Sequence, residues 1–300
     1  MSARIRNPFT PSFGQIPLYM AGRDLVIDEI MRAFENGVGD PNLSTILIGA
    51  RGSGKTALMS LLAHEAQGFG WLSVNVSALP GMLEDIAQQA KAVASSIVSV
   101  SSHAKIKSVG VPQILDIEWE RDAVEQPNWR MRMSAILEGL NASDVGLLIT
   151  VDEVRADLDE LIQLVSVHQH FIREGRKVAL LLAGLPGEVS SLLQDRSVSF
   201  FRRACQHHLG RIEDYEIALA MKRTIEDSGK RIEERALDQA VRVSRRGLVR
   251  IEGLLDDGGA VADQFLHDLG ERPRPCAVPG RCVCAPSTAR CANGRVHAGA

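Results

Sequence analysis

Cysteine is scarce where a cross-linked fold would need it. Of five cysteines in 300 residues, only Cys205 precedes the tail; Cys276, Cys282, Cys284 and Cys291 fall in the last 25 residues. The body therefore has no disulfide framework and reads as a protein of a reducing compartment. The tail spacing matches no zinc pattern. Aromatic residues make up 4% of the chain, and Trp71, Trp119 and Trp129 read as core or hairpin residues. No basic stripe accompanies them, which excludes a base-stacking platform. No apolar run is long enough to span a bilayer. Residues Met1 to Pro8 lack the apolar core of a secretory signal, so the expected location is cytoplasmic, with no membrane partner. Formal net charge is -3. There is thus no global basic field to support DNA as a partner. No Ser-His-Asp or Cys-His arrangement follows from spacing. His168 and His170 stand two apart on an expected helix, on different faces; they make poor joint metal ligands and read as polar surface.

What the chain does have is concentrated at Ile46-Leu47-Ile48-Gly49-Ala50-Arg51-Gly52-Ser53-Gly54-Lys55-Thr56-Ala57. An apolar run leads into G-x-x-x-x-G-K-T and then into a helical stretch, so the segment reads strand, glycine loop, helix. Glycines let backbone N–H groups converge on a phosphate without side-chain obstruction. The following helix adds its free N-terminal donors and the positive end of its dipole. Gly49 to Ala57 are the expected nucleotide-binding residues, with Lys55 on the β- and γ-phosphates and the Thr56 hydroxyl on Mg²⁺.

Such a site calls for an acidic group at the end of another buried strand. Val145 to Val151 is nearly all apolar, as a parallel strand covered on both faces should be, and it ends in Asp152-Glu153. Asp152 is the expected second Mg²⁺ residue, acting mostly through water. Glu153 is placed to orient and polarise the attacking water.

The rest of the chain fits one architecture. The helix expected over Asp24 to Glu35 precedes the loop Asn36 to Pro41. Trp71 to Val76 reads as a strand, followed by a helix to about Ser96. Residues 97–128 allow a hairpin insertion. Helices are expected from Asn128 to Asn141, Leu158 to Gly175 and Gly187 to Leu193. Strands are expected at Lys177 to Ala183 and at His207 to Gly210. Alternating strands and helices imply a parallel sheet with helices on both faces. After Gly210 the pattern is all helical: Glu213 to Ser228, Glu233 to Ser244, and Leu248 onward. The expected fold class is α/β: a P-loop NTPase with a parallel five-stranded sheet flanked by helices, plus a small all-helical lid. The expected division is an extended lead-in (1–20), the ATPase domain (21–212), the lid (213–270) and a disordered tail (271–300). That tail holds five arginines against one glutamate, so residues 1–270 carry -7; with no apolar periodicity it cannot offset its chain entropy.

Together these features resemble the AAA+ ATPases, and within them the initiator-like clade related to origin-recognition proteins and archaeal-type ATPases. The resemblance covers roughly residues 7 to 267. Gly49 to Thr56 matches Walker A, and Leu147 to Glu153 matches Walker B with its catalytic glutamate. Asn7-Pro8-Phe9 with Ala21-Gly22-Arg23 looks like the N-terminal box that packs over the adenine. Gly247-Leu248-Val249-Arg250 looks like the G-x-x-R of the lid's sensor 2 helix, which implies a catalytic role for Arg250 on the γ-phosphate. Arg202 or Arg203 falls where such proteins carry a finger that reaches a neighbour's γ-phosphate. The resemblance implies ATP and Mg²⁺ as cofactors. It implies hydrolysis of ATP to ADP and phosphate, and a nucleotide-dependent homo-oligomer or protein partner.

Two departures stand out. Leu182-Ala183-Gly184-Leu185-Pro186 offers no polar side chain where the family places sensor 1, so turnover is expected to be slow or to need a partner. No winged-helix domain of the kind DNA-binding initiators carry is expected after the lid within these 300 residues, which weighs against direct sequence-specific DNA binding. Two further readings therefore stand beside the ATPase: a switch or scaffold that binds ATP with negligible turnover, and a DNA-associated initiator-type ATPase.

Overall fold

A computed structural model of the chain describes Phe9, residues 16–101 (side chains of 96–101 excepted) and residues 128–244. Asn7-Pro8, the expected hairpin within 97–128, the third lid helix with Gly247 and Arg250, and the tail from 271 lie outside the described residues.

Helix α1 (Asp24–Asn36) precedes strand β1 (Ser44–Ile48), which runs through the glycine loop into α2 (Lys55–Glu65). Then come β2 (Trp71–Ser77), α3 (Met82–Ser101), α4 (Trp129–Ala142), β3 (Gly146–Asp152), α5 (Asp159–Arg173), β4 (Val178–Gly184), α6 (Pro186–Gln194) and β5 (Cys205–His208). Helices α7 (Asp214–Asp227) and α8 (Glu234–Ser244) follow. The five strands form one sheet in the order β2-β3-β4-β1-β5, and every described pairing is parallel.

Parallel pairing explains the apolar runs. A strand buried on both faces must be apolar at every position, not at alternate ones. Successive residues then divide between two cores, because side chains alternate across a strand. Ile46, Ile149, Val151, Leu180 and Leu182 face α3, α4, α5 and α6. Leu47, Leu148, Leu181 and Ala183 face α1 and α2. Trp71 is fully buried in this second layer. Its indole N–H donates to the Phe34 carbonyl at 3.0 Å. Gly146 stands opposite it in register, and a Cβ there would lie 2.4 Å from the ring.

A third, smaller core joins α7 and α8. Ile212, Ile217, Met221, Ala240 and Val241 form it, with Phe9 and Ala21 packed against it. Phe9 and Ala21, which precede the sheet in the chain, thus lie against the helices that follow it.

Two expectations are corrected. The last strand is Cys205–His208, not His207 to Gly210, because Thr45 to Ile48 pair with those four residues. His168 is not on the polar surface; it is 1% exposed. Leu161, Leu164, Val165, His168 and Phe171 repeat at helical spacing, which puts the imidazole on the inward stripe of α5.

The Ser44 hydroxyl and His168 Nε2 lie 3.0 Å apart, and Nδ1 has no hydrogen-bond partner. Burial pushes the His168 pKa down to about 4 from the ordinary 6.5. The sign follows from linkage. Above pH 6.5 the ring is neutral whether the chain is folded or not. Below it the unfolded chain takes a proton that the native state refuses, so stability falls as pH drops from about 6.5 towards 4. The slope is about 1.4 kcal/mol per pH unit for this one group. Urea unfolding at pH 7 and pH 5.5 should show the loss. In His168→Gln, which keeps a polar partner for Ser44 but cannot titrate, the difference between those two pH values should shrink; an unchanged difference would assign it to other groups.

Candidate functional site

The site is built at the carboxyl ends of the strands, where open α/β sheets hold their ligands. Strand β1 enters it between β4 and β5. The Gly49 amide donates to the Gly184 carbonyl at 3.2 Å, and the Leu209 amide to the Ile48 carbonyl at 2.7 Å. The first glycine of the loop is therefore held between its neighbours' ends. Gly52 and Gly54 have φ of 74° and 85°, a conformation that side-chain-bearing residues rarely adopt. Those turns bring the chain round into α2. The N-cap of α2 is Gly54, which has no side chain to cap the helix, and the Gly54 carbonyl accepts the first helical bond, from Leu58, at 2.9 Å. The amides of Gly54, Lys55, Thr56 and Ala57 therefore have no partner within the helix. A ring of free donors at a positive helix end suits an anion. Ala50 and Arg51 are exposed at the tip of the loop.

Lys55 turns back over the loop. Its ammonium donates to the carbonyls of Gly49 and Ala50, both at 2.9 Å. Burial pushes its pKa below the ordinary lysine value, while the nearby Asp152 and Glu153 carboxylates pull it up. The ammonium is thus held between the loop and the acidic strand end.

The two residues expected at the metal come together from the first turn of α2 and the end of β3. The Thr56 hydroxyl donates to Asp152 Oδ2 at 2.5 Å, in an exposed position. Both are hard oxygen donors, and the exposure leaves space for the waters that Mg²⁺ retains. The residues fit that ion. Glu153 is exposed and has φ of 55°; its amide donates to Asp152 Oδ1 at 2.8 Å. A non-glycine residue held left-handed costs about 1–2 kcal/mol, and such residues cluster at functional sites.

A cleft of about 540 Å³ continues from the Thr56–Asp152 pair towards β2, lined by Ser60, Asn75, Ser77 and Asp85 among others. The Thr150 hydroxyl donates to the Asn75 side chain at 2.7 Å on its wall. A second cleft of about 430 Å³ lies beside β5 and includes Arg202, Gln206 and His208. Arg202 Nε donates to the Leu193 carbonyl at 2.7 Å, which anchors that arginine on the 3-10 segment Arg196–Arg203. Arg203 is exposed.

Gly184 ends β4 beside the loop, at the position where the resemblance places a water-positioning side chain. A Cβ at this position would lie 2.9 Å from Val189 Cγ2 and 3.1 Å from Val154 Cβ. The two valines occupy the space that a polar side chain would need. Sequence reasoning missed one contact: Arg23, which the resemblance places in a base-packing box, donates to the Ser53 carbonyl of the glycine loop at 3.3 Å. The only signal was its place before α1, which says nothing of the distant loop.

No protein-family profile matches the sequence, and no curated protein does. Solved structures do resemble it. The ORC2 protein of Aeropyrum pernix, in ADPNP-ADP complexes, is 17% identical with a TM-score of 0.56, over 87% of this chain and 67% of that one. Cdc6p from Pyrobaculum aerophilum is 13% identical with a TM-score of 0.51, over 86% and 66%. The replication initiator DnaA bound to AMPPCP and single-stranded DNA is 15% identical with a TM-score of 0.50, over 88% and 69%. This chain thus spans about two thirds of those structures. At such identities the likeness establishes the fold alone: a five-stranded parallel sheet flanked by helices, with a helical segment after it.

Proposed function

We propose that the chain is an ATPase that binds Mg²⁺-ATP at the 49–57 loop and hydrolyses it to ADP and phosphate. The site lies in residues 21–212, and residues 213–270 respond to its occupancy as a lid. One observation carries the reading: the Thr56 hydroxyl on Asp152 at 2.5 Å, directly beside four free amides at the start of α2. The roles follow from chemistry. The Gly49 to Gly54 backbone and the amides through Ala57 cradle phosphate. Lys55 leaves the loop carbonyls for the phosphates and offsets charge developing on them. Thr56 and Asp152 hold Mg²⁺, which supplies charge neutralisation on the phosphate oxygens. Glu153 takes the proton of the attacking water. Arg202, anchored through Nε, keeps its outer nitrogens for a neighbouring subunit, while Arg250 would act from the lid.

The valine-filled end of β4 supports a second reading, a switch that binds ATP and turns it over negligibly. Phosphate release per subunit, measured against protein concentration, separates the two. The ATPase reading expects Mg²⁺-dependent release that rises as subunits assemble and that Arg202→Ala blunts. Tight Mg²⁺-ATP binding with no release at any concentration would establish the switch instead.

A further inference from the structure

Arg23 is 8% exposed, unusually buried for a guanidinium. Its Nη2 donates to the Gly210 carbonyl at 2.7 Å and to the Ser53 carbonyl at 3.3 Å. One acceptor is in the phosphate loop. The other lies just after β5, where the chain leaves the sheet for the lid. Burial lowers the Arg23 pKa, and the Glu216 carboxylate opposes that. Glu216 sits on the first turn of α7 and accepts from the Glu213 amide at 3.1 Å. The residue before Arg23 is pressed against it: a Cβ on Gly22 would lie 2.4 Å from Glu216 Oε2. Further back, the Tyr19 hydroxyl donates to Asp227 at 2.5 Å, and Arg223 lies over the Tyr19 ring at 5.8 Å. The lead-in therefore runs along α7 and ends in a guanidinium lodged behind the phosphate loop.

The peptide plane gives this contact its consequence. In a planar trans peptide the C=O and the following N–H point in opposite directions. A Ser53 carbonyl drawn back towards Arg23 aims the Gly54 N–H forward, away from Arg23. Gly54 is the N-cap of α2, and its amide is one of the four without a helical partner. Rotation about the Ser53 Cα–C and Gly54 N–Cα bonds, the latter eased by the missing Cβ, would otherwise leave that donor less firmly set.

We propose that Arg23 is a positioning residue of the phosphate loop: it presets the Ser53–Gly54 peptide for an anion and, through the same nitrogen, fixes the loop to the root of the lid at Gly210. The part of the ligand it serves is the phosphate chain, not the base. This rests on the ATP-binding reading of the loop.

The test uses the full chain with Arg23→Met, which keeps an apolar stem, and Arg23→Lys, which keeps the charge but not the fork. Affinities are measured for Mg²⁺-ATP, ADP and inorganic tripolyphosphate. The Gly54 amide resonance is recorded without nucleotide, and urea unfolding checks the fold. Arg23→Met should weaken all three ligands by a similar factor, about 10- to 100-fold for a lost charged hydrogen bond. The Gly54 resonance should move, and Arg23→Lys should fall between. If Arg23→Met proves unfolded, the Arg23→Lys affinities and resonance decide. Wild-type affinity in the variants, or an unmoved Gly54 resonance, would overturn the proposal. So would a loss for ATP with tripolyphosphate unchanged, which would put Arg23 at the base. Lys55→Ala is run alongside. Should wild type show no Lys55-dependent nucleotide binding, the ATP reading fails by itself, and the Gly54 resonance still decides Arg23.

Discussion

Glu153→Gln should bind Mg²⁺-ATP within about threefold of wild type and release phosphate roughly 10²–10⁴ times more slowly, the range for losing a general base. The substitution keeps size and hydrogen-bonding capacity and removes only the basic oxygen. It also leaves the backbone problem as it was. Glu153 has φ of 55°, and glutamine suffers the same left-handed penalty. Any fall in turnover therefore reports chemistry, not a shifted loop. Glu153→Gly makes the complementary point. Relief of about 1–2 kcal/mol of left-handed cost outweighs or matches the roughly 0.5–1 kcal/mol of extra chain entropy. The glycine variant should be at least as stable as wild type in urea, yet equally slow. A rate in Glu153→Gln close to that of wild type would remove Glu153 from the chemistry.

Lys55→Ala should lose most of the stabilisation that Mg²⁺-ATP confers. A ligand that binds only the folded state adds about 2.7 kcal/mol at a hundredfold excess over Kd. For a body of this size that corresponds to a rise of roughly 5–10 °C in Tm. The comparison must be of each protein with and without ligand. Lys55 donates to the carbonyls of Gly49 and Ala50, both at 2.9 Å, so its removal alters the resting loop too. Lys55→Met, which retains the buried stem, controls for that. An undiminished ligand-induced shift in both variants would show that the loop is not where the nucleotide binds.

Legibility in the sequence tracked the range of the interactions. The glycine loop was readable because its conformation depends on neighbours in the chain: a strand, a turn with two positive-φ glycines, and a helix start. Strands β1, β3 and β4 were readable because burial on both faces demands unbroken apolar runs. The 3-10 segment Arg196–Arg203 was not, since no periodicity marks so short and kinked a turn. The strand assigned to His207–Gly210 was displaced because β5 is short and half-exposed, and only pairing with β1 sets its register. His168 misled because pairwise spacing with His170 was weighed instead of the apolar stripe it completes.

By itself, then, the sequence determined the local structure: a glycine loop between a strand and a helix, an acidic strand end, alternating strands and helices, and a helical segment after them. Tertiary structure alone decided which of these meet. The strand order β2-β3-β4-β1-β5 brings Asp152 to Thr56 across 96 residues. It fills the end of β4 with Val154 and Val189. It also lodges Arg23 between Ser53 and Gly210. The reason is physical. Local geometry follows from backbone sterics and side-chain spacing within a few residues, whereas contacts between distant residues exist only once two buried cores have fixed the order and register of the strands.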